Sequence, residues 1–210
     1  MESNKVNENE ISANKITPAP LDERHVCGLD PFIRKQELAT SRFYMGSLVS
    51  FLSTGNDTGG RTSLMIYSGR PGNEPPPHLH EREHETYYIL EGIVEFYCDG
   101  KVMLAGPGEL VFLPMGKAHA FYIRTPEVKL LISLQATSEK AVGLDEYFLE
   151  MSHPADRMAI PDETTYSDDV PEHAIETGNK TGVIILKPEE IEAQLPHYPG
   201  FGIKRELIYE

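Results

Sequence analysis

Cysteine is scarce in this chain. Cys27 and Cys98 are the only two in 210 residues, far apart and in no metal-type spacing, so a disulfide framework is excluded and free thiols are expected. Long apolar runs are missing as well. None reaches the roughly 18 residues that a membrane span requires. The first twenty residues, MESNKVNENEISANKITPAP, lack the apolar region of a secretory leader. Positive charge is also short: 19 Lys and Arg stand against 33 Asp and Glu, for a net charge of −14. A nucleic-acid partner would want a basic face, and none is visible. The acidic balance serves solubility. These absences point to a cytoplasmic protein with neither nucleic acid nor membrane among its partners.

What is present fits one domain with extensions. Hydrophobic residues make up 40% and charged residues 25%, normal for a globular chain of this length. Residues 1–20 are polar and without hydrophobic period, and read as a disordered or docking arm. Residues 21–40 are mixed, with a short helical or turn-like character. SRFYMGSLVSFLS (41–53) is rich in aromatic and β-branched residues and reads as one or two strands. GNDTGG (55–60) is a turn, and TSLMIYS (62–68) a further strand.

From residue 85 the pattern is a meander. ETYYIL, IVEFYC, KVMLA, ELVFL, HAFYI and VKLLISL are separated by Glu91-Gly92, Asp99-Gly100, Gly106-Pro107-Gly108, Pro114-Met115-Gly116 and Arg124-Thr125-Pro126. Short strands at this spacing predict an all-β sandwich or barrel over 21–136. Beyond it, 138–153 carries Val142, Leu144, Tyr147, Phe148 and Met151 near helical spacing and reads as a helix outside the barrel. Residues 154–181 read as a long polar loop, and 183–188 as a strand or a helix lead-in. PEEIEAQL (188–195) reads as a helix with Pro188 in its first turn. The tail from His197 is aromatic and expected to lie on the barrel or on a partner chain. Residues 137–210 thus form a helical and loop extension.

One stretch carries chemistry. GNEPPPHLHEREHETYYILEG (72–92) holds His78, His80, His84 and Glu85. Three prolines forbid a helix and bring the chain in extended. In a strand, residues i and i+2 share a face, so His78 and His80 can aim into one cavity. His84 has the opposite parity to Glu85 and reads as a surface or supporting residue. Tyr87 and Ile89 share the parity of Glu85, and Phe121 and Ile123 that of His119. Tyr87, Phe121 and Ile123 are therefore candidates for a pocket wall, although small barrels also fill their interiors with such side chains. Tyr88 has the outward parity.

Gly72, His78, His80, Glu85 and Gly92, followed by Gly108, Pro114, Gly116 and His119, stand at the spacings of the two sequence motifs of the cupins, which residues 41–135 resemble. The resemblance implies a jelly-roll β-barrel, here with a few C-terminal helices. It implies that His78, His80, Glu85 and His119 meet as ligands of one divalent first-row transition metal, from the set Fe, Mn, Ni, Co, Cu and Zn. The second motif often ends in Asn where this chain has Ile123, a departure that makes the pocket more apolar. No second His-x-His follows residue 137, so one barrel is expected rather than two. Residues 56–92 and GLDEYFLEMSHPA (143–155) resemble, more closely, single-domain cupins similar to quercetin 2,3-dioxygenase.

That closer resemblance implies a metal-dependent dioxygenase of a flavonol-like or other enolic or phenolic aromatic compound. Molecular oxygen would be the co-substrate, and Glu85 both ligand and possible base. Two other readings remain. One is a non-oxidative isomerase, cyclase or lyase acting on an aromatic or polyketide intermediate of secondary metabolism. The other is a metal- or ligand-binding module without catalysis. The β-rich segment 41–53 behind a mobile arm suits strand exchange, and a homodimer is expected, as is common among cupins.

Overall fold

Alternation of burial along several of the strands builds the molecule. The structure, a computed structural model, describes residues 29–137, 139–162 and 169–208. The expected N-terminal arm and Cys27 lie outside them. The strands are β1 (Ser41–Tyr44), β2 (Ser47–Ser53), β3 (Thr62–Gly69), β4 (His78–His80), β5 (Glu83–Glu91), β6 (Val94–Cys98), β7 (Lys101–Ala105), β8 (Leu110–Leu113), β9 (His119–Ile123), β10 (Val128–Ala136), β11 (His153–Pro154) and β12 (Val183–Ile185). Three helices follow the meander: α1 (Leu144–Met151), α2 (Glu172–Thr181) and α3 (Pro188–Gln194). None is long and apolar enough to cross a membrane.

The strands form two antiparallel sheets. One runs β11-β1-β2-β3-β10-β5-β8 and the other β12-β4-β9-β6-β7. In β10, Val128, Leu130, Ile132 and Leu134 are buried, and the residues between them are only half-buried. That strand lies between β3 and β5 at the centre of the larger sheet. Its inward side chains join Phe51, Met65, Tyr67, Ile89, Phe96 and Phe121 in one core between the sheets. This is the expected all-β jelly roll.

Turn chemistry is as the sequence requires. Asp99 (φ 52°) and Gly100 (φ 71°) both take the left-handed conformation that a two-residue hairpin needs between β6 and β7. Gly92 (φ 83°) has a second constraint, since a Cβ there would lie 2.4 Å from the Glu127 carbonyl. Segment 41–53 is two strands, divided at Met45-Gly46, where both φ are positive. Within one chain β1 is already paired on both sides, with β2 and over Arg42 and Phe43 with β11.

The region after residue 137 departs from its expected form. The helix expected over 138–153 is confined to α1, which begins at Leu144. The long loop expected over 154–181 ends in a ten-residue helix, α2. The extension also does more than pack on the barrel, because β11 enters the larger sheet and β12 pairs with β4 in the smaller one. The aromatic tail lies on the barrel. Tyr198 stacks on Tyr122 (centroids 5.1 Å apart) and meets Tyr97 edge-on, covering the outer face of the smaller sheet. That cover explains why β6 and β9 are buried on both faces.

Candidate metal centre

Register brings the first two histidine sites together. His78 on β4 stands directly opposite His119 on β9, and His80 is two residues along β4 on the same face. Glu85 comes from the other sheet, where β5 pairs with β8 and β10. All four side chains are buried, and one donor atom from each lies within 4.8 Å of every other.

Each imidazole is oriented from behind. Nδ1 of His78 faces the Pro76 carbonyl at 2.8 Å, Nδ1 of His119 the Lys117 carbonyl at 3.0 Å, and Nδ1 of His80 a Glu83 oxygen at 3.1 Å. Carbonyls and carboxylates accept, so the ring protons belong on Nδ1 and the Nε2 lone pairs point inward. Nε2 of His119 is 3.2 Å from Nε2 of His78. Glu85 Oε2 lies 3.3 Å from His80 Nε2 and 3.2 Å from His119 Nε2.

These separations fit a cation. With metal–donor bonds of about 2.1 Å, adjacent donors stand about 3.0 Å apart in an octahedron and about 3.4 Å in a tetrahedron. Glu85 Oε1 is buried with no hydrogen-bond partner, which a second polar or cationic neighbour would relieve. The donor set therefore fits a divalent first-row ion.

The electrostatics agree. Burial drives the His78 pKa well below its ordinary value, and the neighbouring His119 and His80 push the same way. Burial also acts to lower that of His80. The Glu85 charge, hydrogen bonds to Glu83 and Glu85, and the Glu83 charge outweigh it and bring the pKa up to about 9. Burial would raise the Glu85 carboxyl, yet the His80 charge and hydrogen bonds from His119 and His80 hold it well below the carboxylate range. A cation replaces the proton that otherwise relieves this crowding.

A small cleft of about 20 Å³ adjoins the cluster, with room for about one water. His78 and Tyr87 line it on the barrel side, with Tyr44, Pro75 and Pro76. Leu144, Tyr147 and Phe148 of α1 and Val183 and Ile185 of β12 close it. Burial raises the Tyr44 and Tyr87 phenols well above their ordinary pKa, so both are neutral. The Tyr44 hydroxyl has no hydrogen-bond partner. Of the three expected wall residues, Tyr87 lines this cleft. Phe121 and Ile123 sit in the main core, with Phe121 5.8 Å from the Tyr87 ring.

His84 stands apart from the cluster. Its Nδ1 accepts the Met115 amide at 2.9 Å, and its ring leans on Phe112. Tyr88 is exposed, as its parity predicts. Sequence reasoning missed Glu83, the buried partner of His80. Its parity, two residues before Glu85, was the available signal.

Residues 65–134 match the cupin domain family. That segment, a third of the chain, is similar to a cupin domain. Over 91 residues it is 28% identical to quercetin 2,3-dioxygenase of Bacillus subtilis, covering 43% of this chain and 27% of that protein. Over 62 residues it is 32% identical to an uncharacterized protein of Aquifex aeolicus, covering 30% and 50%. The chain thus spans half or less of these curated relatives. Among solved structures, KdgF from Halomonas is 17% identical with a TM-score of 0.39, over 45% of this chain and 83% of that one. The matched segment of the cupin domain includes all four residues of the cluster.

Proposed function

We propose that this chain is a metal-dependent dioxygenase of a small aromatic compound bearing an enolic or phenolic oxygen. The observation that carries the reading is the convergence of His78, His80, Glu85 and His119 beside an apolar, aromatic-lined cleft. The partial likeness to quercetin 2,3-dioxygenase supports the reaction class.

His78, His80 and His119 would hold the ion through Nε2, and Glu85 through Oε2. The ion would supply Lewis acidity toward a substrate oxyanion. Glu85 Oε1, buried with no hydrogen-bond partner, would receive a proton from the substrate hydroxyl. Tyr87, uncharged and beside Glu85, can donate to the substrate oxygen. Tyr44, Tyr147 and Phe148 provide an aromatic wall that excludes water. At about 20 Å³ the cleft holds about one water, so entry of a ring-sized substrate would require lining side chains such as those of α1 to move outward.

Protein purified without chelator should carry a near-stoichiometric first-row metal by elemental analysis. It should consume oxygen with a flavonol or a simpler enolic phenol. His78→Ala, His119→Ala and Glu85→Ala should each lose the metal and at least about 10³-fold in rate. Unchanged metal content in those variants would sink the ligand assignment. Turnover of an aromatic ketone under strict anaerobiosis would replace the oxygenase reading with the isomerase, cyclase or lyase one.

A further inference from the structure

Helix α1 has no cap of its own. Gly143 stands at its N-cap and offers no side chain, so the first backbone N–H groups need an acceptor from elsewhere. Glu83 supplies it from β5. Its Oε2 accepts from the Gly143 amide at 3.1 Å, and its Oε1 from the Leu144 amide at 3.0 Å. The same Oε1 is 3.1 Å from His80 Nδ1. Glu83 is fully buried, and its carboxylate bonds to these three groups. One carboxylate thus joins an inward-facing imidazole to the start of the helix whose Leu144, Tyr147 and Phe148 close the cleft.

We propose that Glu83 is a positioning residue for the metal centre and that it couples occupancy of the centre to the placement of α1. The inference rests on the ligand assignment above. Two physical effects produce the coupling. A carboxylate behind a ligating imidazole fixes its tautomer and ring orientation and raises its basicity. The converse holds too: an imidazole drawn onto a cation polarises its Nδ1–H toward Glu83 and holds the carboxylate where it caps α1. Opening the cleft for a ring-sized substrate therefore works against a tether that ends on a metal ligand. Substrate entry and metal affinity become linked, and linkage of this kind is reciprocal.

Glu83→Gln tests this with the least change of shape. The amide can still accept from His80 and Leu144 through one oxygen, but its NH₂ meets the Gly143 N–H and the charge is gone. Glu83→Ala removes all three bonds. Co(II) added to chelator-stripped full-length protein gives affinity by competition with an indicator, and its visible bands report ligand geometry. Hydrogen exchange of residues 143–148 reports the helix, with β10 as an internal reference.

Wild-type protein should show slower exchange over 143–148 on Co(II) loading, with β10 unaffected. Glu83→Gln should bind Co(II) about 10–100-fold more weakly and lose that protection. Glu83→Ala should show the same with altered bands. Co(II) binding by the wild type that Glu83→Gln leaves unchanged would overturn the positioning role alone. An α1 whose exchange ignores Co(II) in the wild type would overturn the coupling. Absence of Co(II) binding by the wild type would overturn the ligand assignment and this proposal with it. Should Glu83→Ala fail to fold, the Gln variant still decides.

Discussion

Asp145 is a buried carboxyl that the proposed chemistry does not use. It sits in the first turn of α1 and accepts the Gly55 amide at 2.6 Å. Burial raises its pKa from the ordinary 3.8 to about 6, against hydrogen bonds from backbone amides, and the nearby Glu83 charge adds to the rise. The folded state therefore holds this proton where the unfolded chain has lost it. Between pH about 4 and 6 the folded state binds more protons, so this group's contribution falls as pH rises and is lost above about 6. Two pKa units correspond to about 3 kcal/mol. Asp145→Asn keeps an acceptor oxygen and removes the charge. It should be more stable than wild type by about 1–3 kcal/mol at pH 7.5 and lose that advantage near pH 4.5, in denaturant unfolding at both values. An equal difference at the two pH values would refute the assignment. Such a group cannot be read from the sequence, because its pKa is set by packing against residues some ninety positions away. Glu83 is a similar case, with Gly143 and Leu144 sixty positions off. His78 and His80 were legible for the opposite reason, since strand parity puts them on one face through local spacing, and Glu85 and His119 joined them through the resemblance to the two cupin motifs.

At the scale of elements, α1, α2 and β12 behave as one unit laid across the mouth of the cleft. The contact between them is made backbone to backbone. A Cβ at Gly143 would lie 1.8 Å from the Thr181 carbonyl oxygen, and one at Gly178 would lie 2.3 Å from that of Val183. Gly143 has φ −128°, open to any residue, so the constraint there is space rather than conformation. Gly143→Ala should destabilise by about 3 kcal/mol, at the upper end of overpacking effects. Gly106→Ala, whose nearest atom is a Glu109 oxygen 4.0 Å away, should change stability by less than about 0.5 kcal/mol. Equal unfolding midpoints for the two variants would show that α1 can lift away from α2 without loss. This small-residue contact also explains why α2 was not legible. Its buried face is Ala174, Thr177, Gly178 and Thr181, which has helical spacing but no large apolar side chain. Hydrophobic periodicity sees nothing there, while the strands of the meander, with Val, Ile, Leu, Phe and Tyr at period two, announce themselves.

Across the whole molecule, the candidate metal centre joins the two sheets. Three of its donors come from β4 and β9 of the smaller sheet and the fourth from β5 of the larger one. A cation would replace the proton that otherwise relieves the crowding of donors across that joint, so a bound ion would contribute to stability. A ligand that binds only the folded state at 100 times its Kd stabilises by about 2.7 kcal/mol. For a chain of this size each kcal/mol moves Tm by about 2–4 °C, so metal removal should lower Tm by about 5–10 °C. Scanning calorimetry of chelator-stripped protein, before and after Co(II) is restored, measures the shift. Glu85→Ala takes away the one donor contributed by the larger sheet, and its Tm should no longer respond to Co(II). A strong response surviving in Glu85→Ala would mean that the smaller sheet binds the ion by itself. The two sheets would then be held together by the apolar core alone, and the centre would not be a joint between them.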